Sequence, residues 1–174
     1  MPDMKRDSVD VFIEAWKREW PDTDPSPLAV GARIVSAFQT IDREVTSDIL
    51  RYGLSPGEFA VLMTLRLAAP EQRLTPTQLC DRLLVSSGGI TARVDRLDQR
   101  ALVRRVPDPG DRRSVPVELT PGGLEMVNAA AEPLLNTHER LLGPLPADEL
   151  KLLEGLLHKL LVEWQADQPL TPRP

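Results

Sequence analysis

Asp108-Pro109-Gly110-Asp111-Arg112-Arg113-Ser114 stands between two short apolar runs, Leu102-Val103 and Val115-Pro116-Val117-Glu118-Leu119. Pro, Asp and Gly reverse a chain, and Val115, Val117 and Leu119 alternate with Pro116 and Glu118 at the period of a half-buried strand. The stretch therefore reads as a β-hairpin carrying cations at its end. Pro116 has no N–H to give to a ladder, which puts this strand at a sheet edge.

Immediately upstream lies a helix-turn-helix pattern. Leu74-Thr75-Pro76-Thr77-Gln78-Leu79 holds a helix start signal, Thr as cap and Pro at the first helical position, and opens a short helix to Leu83 or Leu84. Val85-Ser86-Ser87 is the turn. The next helix, Ser87 to Arg100, has a core stripe of Ile90, Val94 and Leu97, which leaves Gly88, Gly89, Thr91, Ala92, Arg93 and Arg96 toward solvent or a groove. Two adjacent glycines cost helix stability, about 1 kcal/mol each relative to Ala. Either the helix N-terminus approaches a phosphate or base edge closely, or the glycines only tighten the turn. An arginine-tipped hairpin beside such a helix is a wing, able to reach the phosphates and minor groove that flank a major-groove contact.

The flanking elements are helical. Val9, Phe12, Ile13, Trp16 and Trp20 recur at helical spacing from about Ser8 to Trp20, and Pro21 ends that helix. Pro21-Asp22-Thr23-Asp24-Pro25-Ser26-Pro27 reads as a stiff, extended linker. A long helix follows, Leu28 to Tyr52, closed by Gly53. Ser55, Pro56 and Glu58 form the capping box of a third helix around Phe59, Leu62, Met63 and Leu65, which Ala68-Ala69-Pro70 stops. After the hairpin, Thr120-Pro121 opens a helix that Pro133 should kink, and Leu145-Pro146-Ala147-Asp148-Glu149 restarts a final helix rich in leucine. That leucine supply exceeds what a winged-helix core can bury, so the terminal helices are expected to pack against a second subunit.

The fold class expected is mainly α with a small β-hairpin wing: a winged helix-turn-helix plus a helical dimerisation region. Residues 1–27 form an N-terminal helix and Pro-rich linker, 28–53 and 121–166 the dimerisation region, 54–120 the DNA-binding domain, and 167–174 a disordered tail.

The formal charge of −5 would repel nucleic acid if it were evenly spread. It is not: from Arg82 to Arg113 eight arginines face four acids, and the acid excess lies in the rest of the chain. The alternative for this window is a solvated face with ordinary ion pairs, such as Asp95 with its neighbour Arg96. The 174 residues are 41% hydrophobic, enough for one compact domain or two small ones sharing helices. No apolar run approaches the length of a membrane span, and Asp3, Asp7, Asp10 and Glu14 stand where a signal peptide would be apolar, so no membrane association and a cytoplasmic location are expected. One cysteine, Cys80, excludes an internal disulfide framework; with only His138 and His158 besides, there is no metal-ligand spacing and no cofactor is expected. Nucleophile elbow, phosphate loop and dinucleotide fingerprint are absent from the sequence, which argues against an enzyme. A winged helix serving only as a protein-interaction scaffold remains the competing reading, though it needs no cationic wing tip.

The order of elements and the hairpin residues together resemble the MarR family of bacterial transcriptional regulators, from Leu28 to Trp164. Asp111-Arg112-Arg113-Ser114-Val115-Pro116-Val117-Glu118-Leu119-Thr120 fits its wing signature, with Leu79 to Leu83, Asp95-Arg96-Leu97 and Ala101-Leu102-Val103 in support; the family more often has Gly at position 101. The resemblance implies a homodimer binding a double-stranded, pseudo-palindromic operator, with recognition helices one turn of B-DNA apart, about 10 bp. It further implies that Ser87, Gly88, Gly89, Thr91, Ala92 and Arg96 face the major groove, that Arg113 enters the minor groove oriented by Asp111, and that Arg112 takes a phosphate. Such regulators, repressors in the main, are released by small aromatic or phenolic anions. Trp16, Arg93 and Arg105 match three effector residues of the urate-responsive branch, a π surface and two cations suited to a planar anion. Ala60 stands where that branch has an Asp. Packing of Trp16 and Trp20 in a helical core is the alternative for the aromatic pair. Cys80 reads as a small buried residue facing the recognition helix, with peroxide sensing the alternative.

Overall fold

The computed structural model describes residues 5–68, 72–107 and 115–167. The chain divides into two compact units, Met1–Glu44 and Val45–Pro174.

In the first unit, α1 (Ser8–Glu19) starts where Asp7 can cap it: Asp7 Oδ1 accepts from the N–H groups of Val9 and Asp10, and the Asp10 carboxylate accepts from the Asp7 N–H. Arg33 of α2 (Ser26–Arg51) donates to both carboxylates, at 2.8 Å to Asp7 and 2.5 Å to Asp10. The Arg33 guanidinium is the main reason the Asp7 carboxyl lies below its ordinary range. Phe12, Trp16 and Trp20 form an aromatic ladder, with ring centroids 6.2 Å and 4.4 Å apart. Trp16 Nε1 donates to Thr23 Oγ1, whose own hydroxyl donates to the Trp20 carbonyl.

That turn corrects one expectation. The proline-rich segment is not an extended linker: Thr23 N–H bonds back to the Trp20 carbonyl, and α2 begins at Ser26. Asp24 accepts from both the N–H and the hydroxyl of Ser26, and Pro27 falls in the first turn, where a missing N–H costs nothing.

In the second unit the last turns of α2, which ends at Arg51, bury Asp48 and Ile49. Helices α3 (Pro56–Leu67), α4 (Pro76–Leu83) and α5 (Ser87–Gln99) follow, each with a hydroxyl N-cap: Ser55, Thr75 and Ser86. Leu62 and Leu65 of α3, Leu79 of α4 and the expected stripe of α5, Ile90, Val94 and Leu97, are fully buried together. Cys80, expected to be buried, is half-buried at the edge of that core. Helix α6 (Pro121–Leu142) is capped by Thr120 and contains Pro133, with helical conformation continuing on both sides; α7 (Ala147–Asp167) is the last element.

The hairpin strands belong to a three-stranded antiparallel sheet in which β1 (Arg73–Leu74) and β2 (Val103–Arg105) flank β3 (Val117–Leu119). The segment expected at a sheet edge is thus the central strand. Pro116 is compatible with this because it precedes the ladder, where only its carbonyl is used, accepting from the Val106 N–H at 2.9 Å. Leu119 can then pair with Val103 on one side while its N–H reaches the Gln72 carbonyl on the other. Gly123, in the first turn of α6, sits against the carbonyl of Leu102; a Cβ there would lie 1.8 Å from that oxygen. This close approach seats α6 on the entrance to the hairpin.

Candidate nucleic-acid interface

Helix α5 supplies the candidate surface. Its burial leaves Ser87, Gly88, Thr91, Ala92 and Arg96 exposed and Gly89 half-buried. Gly88, Ala92 and Arg96 recur at intervals of four and so form one row along the helix. Thr91 Oγ1 donates to the Ser87 carbonyl at 2.9 Å, which turns its hydroxyl along the helix.

The two adjacent glycines separate in role. A Cβ on Gly89 would meet Val85 Cγ1 at 2.7 Å, so the turn from α4 requires this glycine. A Cβ on Gly88 would meet nothing within 4 Å. Among the described residues no contact accounts for Gly88, and its bare backbone at the N-terminus of α5 presents N–H groups at the positive end of the helix dipole.

The arginines of this region are deployed in pairs that sequence neighbours do not reveal. Asp95 and Arg96 do not pair with each other. Asp95 Oδ1 accepts from Arg105 on β2 at 2.6 Å, and Arg96 Nε donates to Glu58 Oε1 at 2.8 Å. Arg104 pairs with Glu118 directly opposite it across the ladder. Arg100 donates to the Gly53 carbonyl at 2.8 Å, fastening the C-terminus of α5 to the end of α2. Arg93 lies along the first turn of α3, its guanidinium Nε 2.7 Å from where a Cβ on Gly57 would stand.

Glu58 is the functional candidate that sequence reasoning took only as a helix cap. Its Oε2 accepts from the N–H and hydroxyl of Ser55, and its Oε1 from Arg96. Burial pushes this carboxyl up, but the Ser55 N–H, the Arg96 guanidinium and the Ser55 hydroxyl outweigh it and hold the group below its ordinary value. Residues 58 and 96 are 38 positions apart, so only the surplus acceptor of a carboxylate in a capping box pointed to a second partner.

Asp111, Arg112 and Arg113 at the hairpin tip lie outside the described residues. Of the residues expected at an effector site, Arg93 and Arg105 belong to the second unit and Trp16 to the first, where it is part of the aromatic ladder. Asp48 and Thr137 are a buried polar pair, the hydroxyl donating to the carboxylate, and Arg51 also reaches Asp48. Among the described residues no group of three or more His, Cys, Asp or Glu could hold a metal ion, and no helix is long and apolar enough to cross a membrane.

Residues 52–114 match the family model described as MarR family. The chain is 32% identical over 152 residues to the HTH-type transcriptional regulator PecS of Dickeya dadantii, covering 87% of this chain and 92% of PecS. Among solved structures, a mutant MarR from Escherichia coli complexed with operator DNA superposes with a TM-score of 0.68 at 32% identity, covering 80% of this chain and 99% of that one. BpsR of Bordetella bronchiseptica, whose DNA binding is regulated by 6-hydroxynicotinic acid, superposes with a TM-score of 0.64 at 25% identity, over 75% of this chain and 97% of BpsR.

Proposed function

This chain belongs to the MarR family of transcriptional regulators, and from that premise we propose that it is a homodimeric, ligand-responsive repressor of a pseudo-palindromic operator. The observation that carries the reading is the likeness to an operator-bound relative, which extends over 80% of this chain and 99% of that one. In this reading residues 54–120 are the DNA-binding domain, and 28–53 with 121–166 the dimerisation region. Ser87, Gly88, Gly89, Thr91, Ala92 and Arg96 meet the major groove. Arg113, oriented by Asp111, enters the minor groove, and Arg112 neutralises a phosphate. Short side chains at 87–92 leave much of the specificity to groove shape and to the arginines.

Dimerisation is supported by α7, in which residues 147–166 are all exposed: Leu152, Leu156 and Trp164 are 64%, 54% and 57% exposed. A helix this apolar, left bare, would favour association with a second copy.

The effector we propose is a small planar aromatic anion, with Trp16, Arg93 and Arg105 as its binding residues. BpsR supports the ligand class, since 6-hydroxynicotinic acid is a planar aromatic acid. Ala60, in place of the acid of the urate-responsive branch, argues for an anion other than urate. The test is release: 6-hydroxynicotinate titrated into a complex of the protein with the duplex it retains most tightly should lower affinity, and Trp16→Ala should lose the response while keeping DNA affinity. A response unaltered in Trp16→Ala would remove this residue from the site.

A further inference from the structure

We propose that Glu58 is a positioning residue for DNA recognition, acting through Arg96; this deepens the operator-binding reading and rests on it. The chain builds two capping boxes of the same design. At α4 the box is closed by Gln78, whose side-chain oxygen accepts from the Thr75 N–H while Thr75 Oγ1 accepts from the Gln78 N–H. At α3 the equivalent position is Glu58. A neutral amide therefore suffices to cap a helix in this fold, and the negative charge at 58 has a separate task.

That task is visible in how the carboxylate is divided. One oxygen serves the cap; the other takes Arg96 Nε at 2.8 Å. The Glu58 side chain is only 8% exposed, whereas that of Arg96 is 53% exposed. Among the described residues no acceptor bonds the two η nitrogens of Arg96. A long arginine would otherwise lose rotamer freedom on binding; here its root is held by a buried charge and its donor edge faces outward, on the same row as Gly88 and Ala92. Preorganisation of this kind strengthens a directed contact to a base edge or phosphate without adding a contact.

Charge and position at residue 58 are separable. Replacing Glu58 by Gln keeps the cap and removes one acid from the neighbourhood of the DNA. Sequence-independent attraction should then hold or rise, while the directed Arg96 contact weakens. A damaged domain would lose both.

The experiment measures binding of the dimer to two duplexes by fluorescence anisotropy: the tightest fragment recovered from a random-sequence pool by the wild-type protein, and a scrambled duplex of equal length. Glu58→Gln should weaken the selected duplex about tenfold and leave the scrambled one unchanged or tighter. In an Arg96→Gln background, Glu58→Gln should cause no further loss on the selected duplex. Circular dichroism of each variant at the assay temperature confirms that the folded chain is compared. The inference is overturned if Glu58→Gln leaves the selected duplex unaffected, if both duplexes weaken together, or if the two substitutions multiply. A wild-type protein that retains no duplex would overturn the operator-binding reading itself, and this inference with it.

Discussion

Arg105 of β2 donates to Asp95 of α5 at 2.6 Å, a bond between the strand that leads into the hairpin and the helix beside it. Both partners are substantially exposed, so the pair adds less than about 1 kcal/mol to stability. Its use is orientation, because it fixes the root of the hairpin against the helix that it accompanies. Asp95→Asn is expected to leave the thermal midpoint within a few degrees and to weaken operator binding several-fold. Anisotropy titrations beside thermal melts check this, and equal losses in both would assign the pair to stability alone.

The adjacent glycines of α5 should respond in opposite directions. Gly88→Ala meets no atom within 4 Å, so it should stabilise the helix by up to about 1 kcal/mol and yet weaken DNA binding. Gly89→Ala drives a Cβ to 2.7 Å from Val85 Cγ1 and should destabilise the fold. Denaturant midpoints and duplex affinities of the two variants provide the comparison.

Ala101 adopts φ +54°, the left-handed region, at the exit of α5. For an L side chain that conformation costs on the order of 1–2 kcal/mol, part of which a glycine returns through greater freedom of the unfolded chain. Ala101→Gly should therefore raise stability by about 0.5–1 kcal/mol with duplex affinity unchanged. Chemical denaturation measures it, and a fall in stability would remove the strain argument. The same observation explains why a relative would favour Gly here.

Glu58 also sets a pH dependence. Its carboxyl lies below the ordinary value of 4.5 when folded, so the unfolded chain binds the proton more readily. The contribution is fully present above about pH 4.5 and is lost as pH falls through the lower folded value. Asp7 and Asp24 add to the acid limb in the same sense. Glu58→Gln should flatten the wild-type decline in stability between about pH 5 and pH 3, leaving only what the other carboxylates supply. Urea midpoints across that range test it; identical slopes would show that Glu58 titrates alike folded and unfolded.

What could be read from the residues depended on how local the signal was. Ser55 with Glu58 and Thr75 with Pro76 announce their helices within four positions, and the stripe of Ile90, Val94 and Leu97 carries its own period. The two-residue strand Arg73–Leu74 has no period to detect, so the second neighbour of β3 was not legible. Pro116 misled for a related reason: a missing N–H matters only inside the ladder, and the ladder begins one residue later. The segment 21–27 was expected to be extended because three prolines restrict φ, yet the Thr23 and Asp24 side chains fold it into a turn. In the candidate interface, the exposure of Gly88, Thr91, Ala92 and Arg96 followed from periodicity, whereas Gly89 and Arg93, expected outward with them, are half-buried against Val85 and the first turn of α3. The partners of Arg96 and Arg105 did not, since both ion pairs join elements that meet only through tertiary packing.

The central claim is that paired winged-helix lobes read a duplex, and selection from a random-sequence pool tests it most directly. The retained fragments should share two inverted half-sites with centres about 10 bp apart. They should be bound by two chains per duplex in sedimentation, with an affinity that falls as salt rises and less steeply for Arg113→Ala. A single half-site bound by one chain, or no duplex retained at low ionic strength, would contradict the account.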